Sequence, residues 1–313
     1  MTNTFLYGSI GAILDGLLVG SLYGLMGLGL TLIYRVTKIP NFAYAEYITY
    51  GGYAAAAAAG LAAGASGAAI GALAAVVAAA IVALLSDELG FKPLWRKGAS
   101  PLHLLVASIG IGLVLRYSLL GTVVLFFSTK YLEAATPQRS FALLQFGGIA
   151  SLTSAHVLAV SAAAVLAIGL WFMFTRTRIG KAMRATASNP TLARISGINI
   201  FLVRRITWLI AGGLAGFAGF TYAYYNFVNP ESGWLMLLWI FAAATMGGFT
   251  FLGTLISGII LGLAEQYISF LAQYFVGTGA QYSPIIALAA MFIVLLFKPE
   301  GVIRMEALAV RRA

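Results

Sequence analysis

No cysteine occurs anywhere in the 313 residues, which excludes disulfides and thiolate sites. Histidine is nearly absent too, with only His103 and His156. Neither a zinc nor a haem site is therefore expected, and the chain reads as carrying no metal and no cofactor. No G-x-x-x-x-G-K-[ST] phosphate loop is present, so any ATP hydrolysis the protein depends on must come from another chain. Charge is scarce: 9% of residues are charged and 61% are hydrophobic, against roughly 25% charged in soluble proteins. With a mean hydropathy of +0.95, too little charge remains to clothe a soluble surface.

What is there is one apolar run after another. A helix that crosses a bilayer needs about 20 mostly apolar residues. Runs of that kind lie at 11–34, 42–63, 67–86, 102–127, 154–175, 205–228, 239–263 and 282–298. A shorter piece at 265–279 is weakened by Gly277 and Gly279. The expected fold is an all-α, polytopic membrane protein of about eight transmembrane helices plus a broken or re-entrant segment. All of it is read as a single transmembrane domain over residues 1–313. The start, Met1–Gly16, contains Asp15 and has no basic stretch, so it does not read as a cleaved signal peptide.

The formal net charge is +10. In a membrane protein such an excess marks cytoplasmic loops rather than nucleic-acid binding. Sixteen of the nineteen basic residues follow the first, third, fifth and last spans. They are Arg35 and Lys38; Lys92, Arg96 and Lys97; Arg176, Arg178, Lys181, Arg184, Arg194, Arg204 and Arg205; and Lys298, Arg304, Arg311 and Arg312. The opposing loop at 128–153 holds only Lys130 and Arg139, and the loop around Pro230 holds Glu231 and no base. The positive-inside rule puts the four basic loops and the C-terminus in the cytoplasm and the N-terminus outside.

Small residues recur four apart within the runs, at Gly20/Gly24, Gly60/Gly64, Gly67/Gly71, Gly212/Gly216 and Gly258/Gly262. Such pairs let helix backbones approach closely in lipid. The alanine run Ala54–Ala59 reads the same way.

One polar segment interrupts this pattern, "IGKAMRATASNPTLARISGINIFLVRR" at Ile179–Arg205. Asparagine is a strong N-cap, proline suits the first helical position, and glycine suits the left-handed residue past the end. Asn189, Pro190 and Gly197 therefore predict a short helix over Pro190–Ser196, preceded by a second helical piece over Gly180–Ser188. Helices this short are marginal in water, so the segment must pack on something. An ordinary cytoplasmic loop and a docking platform for a partner both fit.

The same stretch resembles the cytoplasmic loop of permease subunits from branched-chain amino acid ABC importers, which reads G-R-A-x-R-A-x-x-x-N-P-x-x-A-x-x-x-G-I-N. "GSLYGLMGLGLTLIYRVTKIPNFAYAEY" (Gly20–Tyr47) is similar to that family's first span and its N-F-A-H-G-E signature. "KPLWRKGASPLHLLVASIGIGLVL", "NPESGWLMLLWIFAAATMGGFTFLGTLISGIILGLAEQ" and "FKPEGVIR" continue the likeness over nearly the whole chain. The sequence departs from the pattern at Tyr44-Ala45, where the family has His-Gly.

The resemblance implies a transport subunit, not an enzyme. It would work in the cell membrane, with a second, identical or different permease subunit, two ABC ATPase subunits and an extracellular solute-binding protein. Its solute would be a branched-chain amino acid, or alternatively urea or an amide. The resemblance also makes residues 176–204 a coupling loop to the ATPase, with Gly180, Arg184, Asn189, Pro190, Ala193, Arg194 and Gly197 as its motif residues.

Ionisable groups inside spans are costly and point to a pathway or a pair. Glu46, the acid of the signature, and nearby Asn41 could line the pathway or tie two helices together. Arg116 sits mid-span, with Glu46 and Glu265 as conceivable partners. Glu265 is read as the end of the seventh span, and Asp15 as a solvated outer residue. The stretch Trp234–Gly253 carries Trp239, Thr245 and Gly248, which fit either a cavity wall or kinked packing.

Two rival readings are weaker. A stand-alone secondary transporter needs more intramembrane charge than is present. An intramembrane serine protease could be read from "GASG" at Gly64–Gly67, with His103 or His156 as base. Such short matches are common in a Gly/Ala-rich chain.

Overall fold

The computed structural model describes residues 2–62, 64–127, 133–134, 136, 140–277 and 283–297. Lys130, Arg139 and everything from Lys298 on, including most of the closing motif, lie outside the described residues. The twelve helices described are α1 (Thr2–Thr37), α2 (Tyr44–Ala59), α3 (Gly64–Ser86), α4 (Lys92–Arg96), α5 (Pro101–Thr122), α6 (Ser154–Arg176), α7 (Arg178–Ser188), α8 (Pro190–Ile195), α9 (Ile200–Tyr225), α10 (Ser232–Met246), α11 (Phe251–Val276) and α12 (Ser283–Phe297). Wider π-helical turns extend α3 at Asp87–Phe91 and α5 at Val123–Phe127. The architecture is all-α apart from one hairpin, β1 (Ala142–Phe146) and β2 (Ala150–Thr153). Its turn has positive φ at both Gly147 and Gly148, the backbone a tight hairpin requires.

Among the described residues, six helical stretches are long and apolar enough to cross a bilayer: Phe5–Thr37, Gly64–Arg96, Pro101–Leu125, Ser154–Arg176, Ile200–Tyr225 and Phe251–Val276. Helices α2, α10 and α12 are shorter, at 16, 15 and 15 residues. The protein is a polytopic membrane protein, but the segment expected to be broken, 265–279, is not, and a break lies instead within a run expected to be one span.

The run at 239–263 is not one span. Helix α10 stops at Met246 and α11 starts at Phe251. The chain turns through Gly248 at φ 60° and Phe249 at φ 50°, and the Thr250 side chain caps α11 by accepting from Gly253 N–H. The dip in hydropathy at Gly247, Gly248 and Thr250 is only a few residues long, so the sequence offered a kink there but not the end of a span. The piece at 265–279 is the continuous second half of α11, which ends at a left-handed Gly277. Glu265 is consequently buried within α11 rather than at its end.

The chain forms two compact units. The first comprises Met1–Leu28, Ser140–Ile168 and Leu238–Ala313, the second Gly29–Arg139 and Gly169–Leu237. In the first unit the glycine pairs of α1 and α11 meet: a Cβ on Gly262 would strike the backbone of Gly20, and one on Gly258 the backbone of Gly24. Nearby, Tyr23, Ala242, Ala243, Met246 and Leu261 form a buried apolar cluster. In the second unit α2, α3 and α9 pack through small faces. Gly216 lies on the Ala75 carbonyl, Gly212 on Ala79 and Ala83, Gly51 on Gly216, and Gly71 on Ala55 and Ala59. Lipid offers no hydrophobic drive between helices, so this close van der Waals fit holds them together.

Candidate functional site

Two places in the second unit gather most of the candidate residues. The first is the loop joining α6 to α9. Asn189 Oδ1 accepts hydrogen bonds from Thr191 and Leu192 N–H at 3.0 Å each. Pro190 opens α8, and Gly197 at φ 83° closes it. Gly197 N–H returns to the Arg194 carbonyl at 3.1 Å and Ile198 N–H to the Ala193 carbonyl at 3.0 Å, the paired closure of a Schellman motif.

Helix α7 is capped by Thr177, whose side chain accepts from Gly180 N–H at 3.0 Å. Gly180 lies against the carbonyls of Met173 and Phe174, where no side chain fits. Arg184 donates to the Phe174 carbonyl, and both Arg35 and Arg184 lie over the Phe174 ring. Met183 and Ala193 anchor α7 and α8 inward, while Leu192 at 60% and Ile195 at 77% exposure face out beside exposed Arg194. A cleft lined by Lys38, Trp95, Thr186, Pro190 and Arg204 lies beside the loop.

The loop continues directly into α9, where sequence reasoning missed a feature. Arg204 Nε donates to both Asp87 carboxylate oxygens at 2.8 Å and Nη2 to Oδ1 at 2.5 Å, with both residues buried. Next to it Arg205 and Lys92 both pair with Glu88. The matching doublets Asp87-Glu88 and Arg204-Arg205 were the available signal.

The second place is the polar interior of the same unit. Arg116 donates to Glu46 Oε1 through Nη2 at 2.7 Å and Nε at 3.2 Å. Of the two acids open to Arg116 in the sequence, Glu46 is the one it meets. Asn41 is fully buried near the turn where Lys38 takes φ 56°, and the Tyr47 hydroxyl faces Ser86 and Asn41. At the position where the resemblance has histidine, the Tyr44 hydroxyl lies against Gly29.

The other candidates, Ser66 apart, fall in the first unit. Trp239 stacks on Tyr23 at 6.0 Å, the Thr245 hydroxyl donates back to the Phe241 carbonyl at 2.7 Å, and Gly248 belongs to the turn after α10. Asp15 is half-exposed, with His156 Nε2 at 3.5 Å. Ser66 sits exposed in the first turn of α3. No cluster of three metal-ligating side chains occurs among the described residues.

A multi-pass helical protein with close-packed small faces, a broken helix and buried charges in its spans has the architecture of a membrane permease. The family is specific: the chain belongs to the branched-chain amino acid transport system / permease component family, whose profile matches residues 12–295. It is 33% identical to the probable branched-chain amino acid transport permease protein LivH of Methanocaldococcus jannaschii, over 93% of this chain and 91% of that one. It is 29% identical to the high-affinity branched-chain amino acid transport system permease protein BraD of Pseudomonas aeruginosa, over 95% and 96%. In fold it is similar to a chain of PsaBC from Streptococcus pneumoniae solved in complex with Fab, with a TM-score of 0.50 at 14% identity, covering 96% and 97%.

Proposed function

We propose that this chain is the membrane-spanning subunit of an ATP-driven importer of branched-chain amino acids. An external binding protein delivers the solute. A second permease subunit, identical or different, completes the membrane part, and two ABC ATPase subunits drive it. The chain works as one transmembrane domain, with its C-terminus in the cytoplasm and its N-terminus outside. Residues 176–204 are the coupling loop.

The observation that carries this reading is α8. It is six residues long, too short to hold itself, yet it is closed at both ends by side-chain and backbone caps. Leu192 and Ile195 face outward next to Arg194. A capped helix with an apolar, basic outer face is suited to a groove on a partner. The chain has no phosphate loop of its own, so the partner that fits is the ATPase.

The test uses Gly197→Val, which puts a β-branched residue at positive φ, and Arg194→Glu, which inverts charge on the outer face. Both variants should reach the membrane folded. Both should lose ATPase co-purification or solute uptake measured on the same preparation. Wild-type retention of partner and transport in both would reduce the loop to ordinary cytoplasmic chain.

A further inference from the structure

We propose that Glu46, Arg116 and the start of α10 form a station that grips the two charged ends of an amino-acid zwitterion in transit, Arg116 taking the carboxylate and Glu46 the ammonium. The inference rests on the importer reading above and goes beyond it by naming the residues that read the solute's two charges.

Glu46 is 1% exposed and Arg116 8%. Desolvating both charges is costly, and apolar side chains of similar volume tie helices together as well or better. A buried pair kept at that cost inside a transport protein marks a function. Its geometry is one-sided, since both Arg116 bonds converge on Glu46 Oε1. Glu46 Oε2 is buried with no hydrogen-bond partner. A carboxylate oxygen in that position calls for a donor, and an ammonium group supplies three.

The third component is the start of α10. Gly233 packs on the Ala45 carbonyl one residue before Glu46, and its N–H donates to Thr49 Oγ1 at 3.0 Å. The Trp234 ring lies 4.6 Å from the Arg116 guanidinium, holding it by cation–π attraction. The start of α10 therefore brings the positive end of a helix dipole to the pair. Urea, an amide or a sugar has no pair of opposite charges to match this arrangement.

The experiment uses the transporter assembled with its partner subunits in proteoliposomes, saturated with leucine-loaded binding protein so that capture does not limit. Leucine uptake, ATP hydrolysis and heat stability are read together. The double variant Glu46→Leu/Arg116→Met replaces the tie with apolar packing. It should match the wild type in stability and in binding-protein-stimulated ATP hydrolysis. Its leucine uptake should fall at least about 30-fold, the lower end for losing a buried charge contact.

Arg116→Lys keeps the charge and loses the planar fork. Its uptake should fall at least about tenfold at unchanged stability. Near-wild-type uptake by the double variant shows the pair to be a tie and overturns the station. Should the double variant fail to assemble, near-wild-type uptake by Arg116→Lys overturns it instead. Failure of the wild type itself to import leucine overturns the importer reading and not the chemistry of the pair.

Discussion

At the scale of single residues, the fold depends on where a side chain is missing. Gly216 of α9 faces the Ala75 carbonyl, and an added Cβ would land on that backbone. Backbone cannot swing aside as a side-chain tip can, so Gly216→Ala forces α3 and α9 apart. The expected cost is about 1–3 kcal/mol, the range for overpacking a tight contact. Gly110 of α5 is the opposite case, with nothing within 4 Å of its Cβ position. There Gly110→Ala should be neutral or stabilising by up to about 1 kcal/mol, because alanine is the better helix former. Thermal unfolding of the two variants in the same detergent separates them. Equal melting temperatures would mean that the close approach at Gly216 is not what holds these helices.

At the scale of elements, charge adds to what small residues join. Asp87 on the π-helical turn after α3 and Arg204 near the start of α9 make a buried two-pronged bond. Glu88 and Arg205 make a neighbouring single bond in which Arg205 is 54% exposed. The two should differ sharply in worth. Arg204→Met leaves Asp87 buried and unpaired, at a cost of about 3–5 kcal/mol. Arg205→Met releases a solvated pair worth about 1 kcal/mol or less. Adding Asp87→Leu to Arg204→Met should recover most of the lost stability, which chemical denaturation of the solubilised chain would register. A double variant no better than the single one would remove the buried pair from the account.

The same elements separate what the sequence made legible from what it did not. The start and stop of α8 were readable because Asn189, Pro190 and Gly197 act within one helical turn of themselves. The break at 247–250 was not, because it is closed by backbone geometry where hydropathy dips for only a few residues. Nor was the choice of partner for Arg116, since Glu46 lies 70 residues away in sequence. Asp87 was passed over because an acid at the end of an apolar run resembles a solvated interface. Only the matching arginine doublet distinguishes it.

At the scale of the whole molecule, the ordering of charge along the chain makes a prediction that the fold alone does not. Sixteen of the nineteen basic residues follow the first, third, fifth and last apolar runs of the sequence. Lysine and arginine resist translocation across the membrane, so these segments are expected to stay in the cytoplasm, with the ATPase they are proposed to meet. The β1–β2 hairpin lies between α5 and α6, on the opposite side of one crossing from the α6–α9 loop. The chain has no native cysteine, so single cysteines can be introduced without background. Gln145→Cys on the exposed face of β1 should react in intact cells with a membrane-impermeant maleimide. Ser188→Cys at the exposed end of α7 should react only after the membrane is opened. The break after α10 does not alter this expectation, because both probes precede it in the chain. Labelling of Ser188→Cys from outside would invert every loop at once. It would place α8 where no ATPase can reach it, and the proposed coupling role would fall with the orientation.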